Sequence, residues 1–239
     1  MRIKIYGERH TGTNYLHQLL RLNTDARLLS GQLPKAAKFL PEPAKDLYFK
    51  CLTGNLGWKH RELTPPFIDK ASSLQNIKFV FIAKNPYAWC LSLARNPYHY
   101  SSGRADPSLR DLLTMEWKTL GRESDIRHYQ NIIDMWNRKT LSYKKLSEVA
   151  ECRFIRYETL LTNFESSFVE TVADLGLTAS QHRPNQIEKS TKSDGRTHDE
   201  ISSYYIEKKY LNNISQSDMA LISQLLSDDA MQVFGYDYE

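Results

Sequence analysis

Residues 2–6 alternate charged and apolar side chains with the period of a β-strand, and the polar run 7–12 interrupts them. From Thr13 the apolar residues Leu16, Leu19 and Leu20 recur at intervals of three and four, which predicts a helix capped by Thr13 or Gly12. The chain thus opens as strand, loop and helix. Residues 29–46 hold Pro34, Pro41 and Pro43 among scattered lysines and read as an irregular crossing segment, followed by short apolar runs at 48–52 and 54–59. Residues 77–83, Ile-Lys-Phe-Val-Phe-Ile-Ala, are nearly continuously apolar, the pattern of a parallel strand covered on both faces at the centre of a sheet. Pro86 then suits the first turn of a helix carrying Trp89, Leu91 and Leu93.

Residues 96–108 are loop-like, and two helical stretches follow, the second with Ile126, Tyr129, Ile132, Ile133 and Trp136 on one face. A third strand is expected at 152–157, and Phe164, Phe168, Val172 and Leu175 then repeat every three or four residues. Residues 176–200 are polar and loop-like, and a last helix is expected at about 216–226. Strands alternating with helices predict an α/β fold: one domain over residues 1–239, with a mostly parallel central sheet flanked by helices.

Composition narrows the function. The 239 residues are 41% hydrophobic and 25% charged, enough for a sizeable core, and a net charge of +4 is too small for a protein that coats a polyanion. No nucleic-acid partner is expected. Cys51, Cys90 and Cys152 are odd in number and widely spaced, so they indicate neither a disulfide framework nor a zinc site. The first strand begins at once, leaving no room for a signal peptide, and no apolar run approaches the roughly 18 residues of a membrane span. A cytoplasmic protein without an integral membrane segment is expected.

Gly7-Glu8-Arg9-His10-Thr11-Gly12-Thr13-Asn14 has the G-x-x-x-x-G frame of a phosphate-binding loop, placed between a strand and a helix so that backbone N–H groups face an anion. A nucleotide triphosphatase would continue with Lys and then Ser/Thr to hold the terminal phosphates and Mg²⁺, where this chain has Thr13 and Asn14. The loop suits a less charged anion, with Arg9 or His10 as its cation; a purely structural turn is the alternative. At these residues the sequence resembles the sulfotransferases that use 3′-phosphoadenosine 5′-phosphosulfate (PAPS). Their loop typically reads Lys-Ser-Gly-Thr-Thr-Trp and maps onto His10-Thr11-Gly12-Thr13-Asn14-Tyr15, with His10 in place of the lysine and Arg9 beside it.

Three more segments carry the resemblance. The family's Arg-Asn-Pro and the serine eight positions beyond its arginine match Lys84-Asn85-Pro86 and Ser92, with a lysine's point charge replacing the arginine's planar fork. Arg95-Asn96-Pro97 has no strand before it and is read as a decoy, with an approach of Arg95 to the same phosphate from the helix end as the alternative. Trp58-Lys59-His60 resembles the family's Lys-Thr-His-Leu-Pro segment, and His60 is expected to end a strand entering the sheet. Tyr157-Glu158-Thr159-Leu160 resembles Tyr-Glu-Asp-Leu. The late basic loop of the family has no clear counterpart; Lys189, Lys192 and Arg196 read as solvated surface, with a flexible lid as the alternative.

The resemblance implies a P-loop-like sulfotransferase architecture and PAPS as co-substrate, without a metal. It implies that Thr11, Gly12, Thr13 and Asn14 hold the 5′-phosphosulfate with Arg9 and His10, that Lys84 and Ser92 hold the 3′-phosphate, and that Tyr157 approaches the adenine. It further implies that His60 is the general base and that Lys59, Arg9 and His10 stabilise charge on the departing oxygen. His17, placed by the residue pattern along the first helix, is expected to leave turnover nearly intact when replaced by alanine. The acceptor would be a hydroxyl or amine, on a carbohydrate or another small molecule. Two other readings stay open: a P-loop kinase or nucleotide hydrolase with a degenerate loop, and a non-catalytic nucleotide- or nucleic-acid-binding module displaying Tyr98, Tyr100 and Arg104.

Overall fold

In the computed structural model, which describes residues 1–37, 39–51, 53–97, 106–188 and 195–239, the chain begins with β1 (Arg2–Tyr6), α1 (Thr13–Asn23) and the short β2 (Arg27–Leu29). Two helices, α2 (Glu42–Cys51) and α3 (Pro65–Ser72), precede β3 (Ile77–Ala83). Then come α4 (Pro86–Arg95), α5 (Leu109–Thr114) and an antiparallel ribbon of β4 (Trp117–Lys118) and β5 (His128–Tyr129). The rest of the described chain holds α6 (Ile132–Ser147), β6 (Cys152–Arg156), α7 (Tyr157–Thr162), α8 (Phe164–Asp174), α9 (His198–Ile206), α10 (Gln216–Leu225) and α11 (Asp228–Phe234).

The main sheet runs β2-β1-β3-β6 with every neighbouring pair parallel, and β3 lies inside it because both of its faces are covered. Val80 and Ile82 pack with Ile3 and Ile5, with Leu16, Leu19 and Leu20 of α1, and with Phe168 of α8. Phe79 and Phe81 pack on the opposite face with Tyr6, Ile68 of α3, Tyr143 and Leu146 of α6, and Phe234 of α11. A third cluster gathers Trp89, Trp117, Trp136 and Ile222, joining α4, α6 and α10 beside the sheet. Because the strands are parallel, the segments leaving β1, β3 and β6 emerge on one edge, where open α/β sheets place their ligands.

Several elements differ from the sequence expectation. Residues 48–51 belong to α2, and the run after them is a turn in which Leu56 (φ 60°) and Gly57 (φ 82°) are both left-handed, which no strand tolerates. His60 therefore ends no strand. Its segment is nonetheless tied to the sheet edge: Gly7 N donates to Lys59 O at 3.0 Å and Lys59 N to Gly31 O at 3.2 Å. The apolar positions 126–136 do not share one helix face, since Ile126 is exposed, Tyr129 lies in β5, and the helix starts at Ile132 where the Asn131 side chain caps Asp134 N. Tyr157 opens α7 rather than closing β6, and α11 follows α10 as a separate helix. No described helix is long and apolar enough to cross a membrane.

Candidate functional site

The turn from β1 into α1 depends on two glycines. A Cβ on Gly7 would lie 2.3 Å from the carbonyl oxygen of Ile82, and one on Gly12, whose φ is +90°, would lie 2.4 Å from the Tyr157 ring. Gly12 is the N-cap of α1 and among the described residues no side chain caps that helix, so its first N–H groups face out toward an anion. Thr11 Oγ1 donates to Glu8 O at 2.6 Å, bracing the loop from within, and Thr13 is buried at the first helical position.

The two expected loop cations part company. His10, also left-handed, stays half-buried with Nε2 at 2.9 Å from Asn96 O. Arg9 turns inward and is fully buried, its guanidinium donating to Glu8 Oε1 at 2.8 Å and to both oxygens of Glu123, with the Trp58 ring 5.2 Å away. Lys139 of α6 completes the cluster by pairing with Glu8 and Glu123. Two cations and two carboxylates thus close on one another beneath the loop, which takes Arg9 out of reach as a donor-facing cation. Burial pushes the Glu123 carboxyl up, but Arg9 and Lys139 outweigh it and hold the group at about 2. The sequence pattern did not reveal this cluster, since Arg9 and Glu123 lie 114 positions apart. Its one local signal is Lys139, a lysine on the buried face of α6 between Trp136 and Tyr143.

A cation that does reach the loop is Lys59. Its Nζ donates to Asn14 Oδ1 at 2.5 Å, and Gln32 Nε2 donates to the same oxygen at 2.6 Å. Burial lowers the Lys59 pKa to about 8. Lys59, Thr13, Asn14 and Gln32 line a cavity of about 150 Å³, and so does His17, whose pKa is pushed down by burial and by the Lys59 charge. His60 is buried, with its ring edge-on to Trp58 and Nδ1 2.5 Å from the Gly7 carbonyl. A carbonyl only accepts, so Nδ1 carries the proton and Nε2 keeps its lone pair. Burial first, then the charges of Lys59 and Arg9, hold the His60 pKa well below its usual 6.5. It is a neutral imidazole at pH 7.

Farther along the same edge, Lys84 follows directly on β3. Its Nζ is 3.4 Å from Ser92 Oγ and lies over the rings of Tyr157 (4.9 Å) and Tyr205 (5.1 Å). Ser92 Oγ also donates to Ala88 O at 2.9 Å, the bond a helix serine makes to its own backbone. Asn85 caps α4 by accepting from Tyr87 N, and its own N–H donates to Glu158 Oε1 at 2.9 Å, which ties the strand end to α7. Tyr157 stands between the two regions, under Gly12 on one side and against Lys84 on the other. The loop residues Thr11 to Asn14, Lys59, Lys84, Ser92 and Tyr157 thus gather along one sheet edge with His10 beside them, whereas Arg9 is drawn beneath the loop and His60 is buried close enough to it to feel the Arg9 and Lys139 charges. Tyr98, Tyr100, Arg104, Lys189 and Lys192 lie outside the described residues. Among the described residues no three His, Cys, Asp or Glu side chains are grouped to hold a metal.

Comparison of the sequence with protein-family models finds no match, and no curated protein matches it either. Among solved structures the chain is similar to mouse sulfotransferase SULT7A1 complexed with PAP, with a TM-score of 0.53 and 14% identity over 98% of this chain and 88% of that one. The chain has the sulfotransferase fold: one α/β domain with a four-stranded parallel sheet flanked by helices.

Proposed function

We propose that the protein, acting as one domain over residues 1–239, is a PAPS-dependent sulfotransferase that moves a sulfuryl group to a hydroxyl or amine. The observation that carries this reading is the presence of two separate cationic positions on one sheet edge, Lys59 over the first turn of α1 and Lys84 at the end of β3. A donor phosphorylated at both ends of its ribose needs two such positions. The fit is supported by Gly12, where any side chain would close the cradle against Tyr157.

The donor supplies an activated sulfur whose bond to a phosphate oxygen breaks as the acceptor oxygen or nitrogen bonds to it. The N–H groups opening α1, with Thr13 and Asn14, hold the 5′-phosphosulfate end, and Lys59 stabilises negative charge growing on the departing oxygen. His10, half-buried beside the loop with Nε2 against Asn96 O, would assist at the same oxygen. Lys84 and Ser92 hold the 3′-phosphate, and the Tyr157 ring offers an edge to the adenine. His60 takes the acceptor proton on Nε2, since its Nδ1–H is committed to Gly7 O.

The test is a thermal-shift panel. At 100 times its dissociation constant, adenosine 3′,5′-bisphosphate should stabilise the protein by about 2.7 kcal/mol, and AMP by much less. Equal shifts from the two would remove the 3′-phosphate site. Sulfuryl transfer should survive EDTA, because the loop offers Thr13 and Asn14 where a magnesium-dependent nucleotide site has Lys and Ser/Thr. Loss with chelator and rescue by Mg²⁺ would favour phosphoryl transfer instead.

A further inference from the structure

The turn that carries Lys59 and His60 has a second cavity on it. Lys59 lines the smaller cavity at the loop, whereas Gly57 and Arg61 line one of about 330 Å³ together with Phe49, Leu56 and Phe67. That volume is at the small end of the roughly 300–1,000 Å³ of ligand pockets, which suits a molecule of one or two rings. Its walls are of two kinds. Phe49 and Leu56 are buried apolar surface, and Phe67 lies under the Arg61 guanidinium at 4.6 Å.

Four cations also line it: Lys50, Arg61, Lys70 and Arg122. The charge of Arg122 is taken up by Glu42 at 2.7 Å and Asp46 at 2.9 Å. Lys50, Arg61 and Lys70 form no ion pair with any described carboxylate, and the one acid in the lining is Asp125, exposed and likewise without an ion pair. Behind the cavity lies a further amine. Lys4 is fully buried on β1, donating to the carbonyls of Asn55 and Gly57 at 2.6 Å each. Burial, then repulsion from the charges of Arg61 and Lys59, push its pKa well down, so this side of the turn disfavours a further positive charge. An anion in the cavity would offset that repulsion, and the aromatic walls would hold an apolar body beside it.

We propose that this cavity receives an anionic aromatic acceptor, with its carboxylate or equivalent acid group on Arg61, Lys50 and Lys70 and its ring against Phe49, Leu56 and Phe67. This rests on the sulfotransferase reading, and its test separates the two. The probes are 6-hydroxy-2-naphthoate and 2-naphthol, which differ in the carboxylate, titrated calorimetrically into protein saturated with adenosine 3′,5′-bisphosphate so that the donor site is not what binds them. The naphthoate should bind at least tenfold more tightly, a preference that Arg61→Met abolishes and Lys50→Ala/Lys70→Ala, at exposed positions that leave folding intact, reduces. Equal affinity for the two probes, or a preference untouched by both variants, overturns the proposal while bisphosphate binding keeps the donor reading. A naphthoate preference lost in Arg61→Met, in a protein that bisphosphate does not stabilise, upholds the cavity's ligand class and removes the donor reading.

Discussion

Two groups of cations flank the same turn and differ in what neutralises them. Beneath the loop, Arg9 and Lys139 meet Glu8 and Glu123, all four buried and all charges spent on one another. On the turn itself, Lys59 meets the neutral amide of Asn14, and Arg61 lies over a phenyl ring with a backbone carbonyl as its acceptor. A closed set of charges fixes geometry, because each member is costly to lose and none is free to respond to a ligand. Cations held by amides, hydroxyls and rings keep their attraction for an incoming anion. The first set anchors the loop to α6 and to residues 119–123, and the second faces the cavities.

The most disruptive test of that contrast is Glu123→Ala. Among the described carboxylates it leaves Glu8 to Arg9 and Lys139 in a dry site, and breaking a buried pair in this way typically costs about 3–5 kcal/mol. Urea unfolding should register that loss, whereas Arg61→Met on the open side should change stability far less. A loss below about 1 kcal/mol, the level of an exposed pair, would mean that the network is not the anchor described. The same carboxyl sets an acid limit. Its folded value of about 2 lies below the usual 4.5, so its stabilisation is complete above about pH 4.5 and drains away as pH falls toward 2.

Next in size is His60. In His60→Asn the amide N–H can keep the bond to Gly7 O while the base is gone, so turnover should fall by about 10²–10⁴-fold with the thermal midpoint and bisphosphate affinity retained. His182→Ala, at an exposed position, serves as control. Near-full turnover in His60→Asn together with loss in His10→Ala would move the base into the loop. Because the pKa of His60 is held well below 6.5, turnover should stay level as pH falls through 6.5. Stability behaves differently: the unfolded chain takes up this proton first, so His60's contribution is full above 6.5 and declines below it.

Local pattern made the scaffold legible. The alternation in β1, the two-sided apolarity of β3 and the three-four repeats of α1 and α8 are each produced by the surface that the element buries, and they were read from that periodicity. Gly7 and Gly12 were legible for the same reason, since their spacing reflects close backbone approach. Hidden were features decided by partners distant in sequence. Three residues of β2 give too little alternation to read, and the left-handed pair Leu56-Gly57 turns an apolar run away from a strand. Arg9 stood out as a loop cation, yet only the fold brings Glu123 to it. His17 and Lys59 likewise come to line one cavity only in the fold.

The smallest effects concern the far end of the sheet edge, where Lys84 and Ser92 are within 3.4 Å of each other but contribute unequally. Lys84→Ala removes a charge-assisted contact worth about 1.5–3 kcal/mol, so affinity for adenosine 3′,5′-bisphosphate should fall roughly 10- to 150-fold with AMP affinity little changed. Ser92 has one hydroxyl proton, and it is already given to Ala88 O at 2.9 Å. To donate to a phosphate the hydroxyl must abandon that bond, so one neutral acceptor is exchanged for one charged acceptor and only the difference is gained. Ser92→Ala should therefore weaken the bisphosphate by about 1 kcal/mol, severalfold, measured by titration against the unmodified protein. A loss as large as that of Lys84→Ala would show that the hydroxyl turns fully toward the ligand, and no loss would leave Lys84 as the working half of the pair.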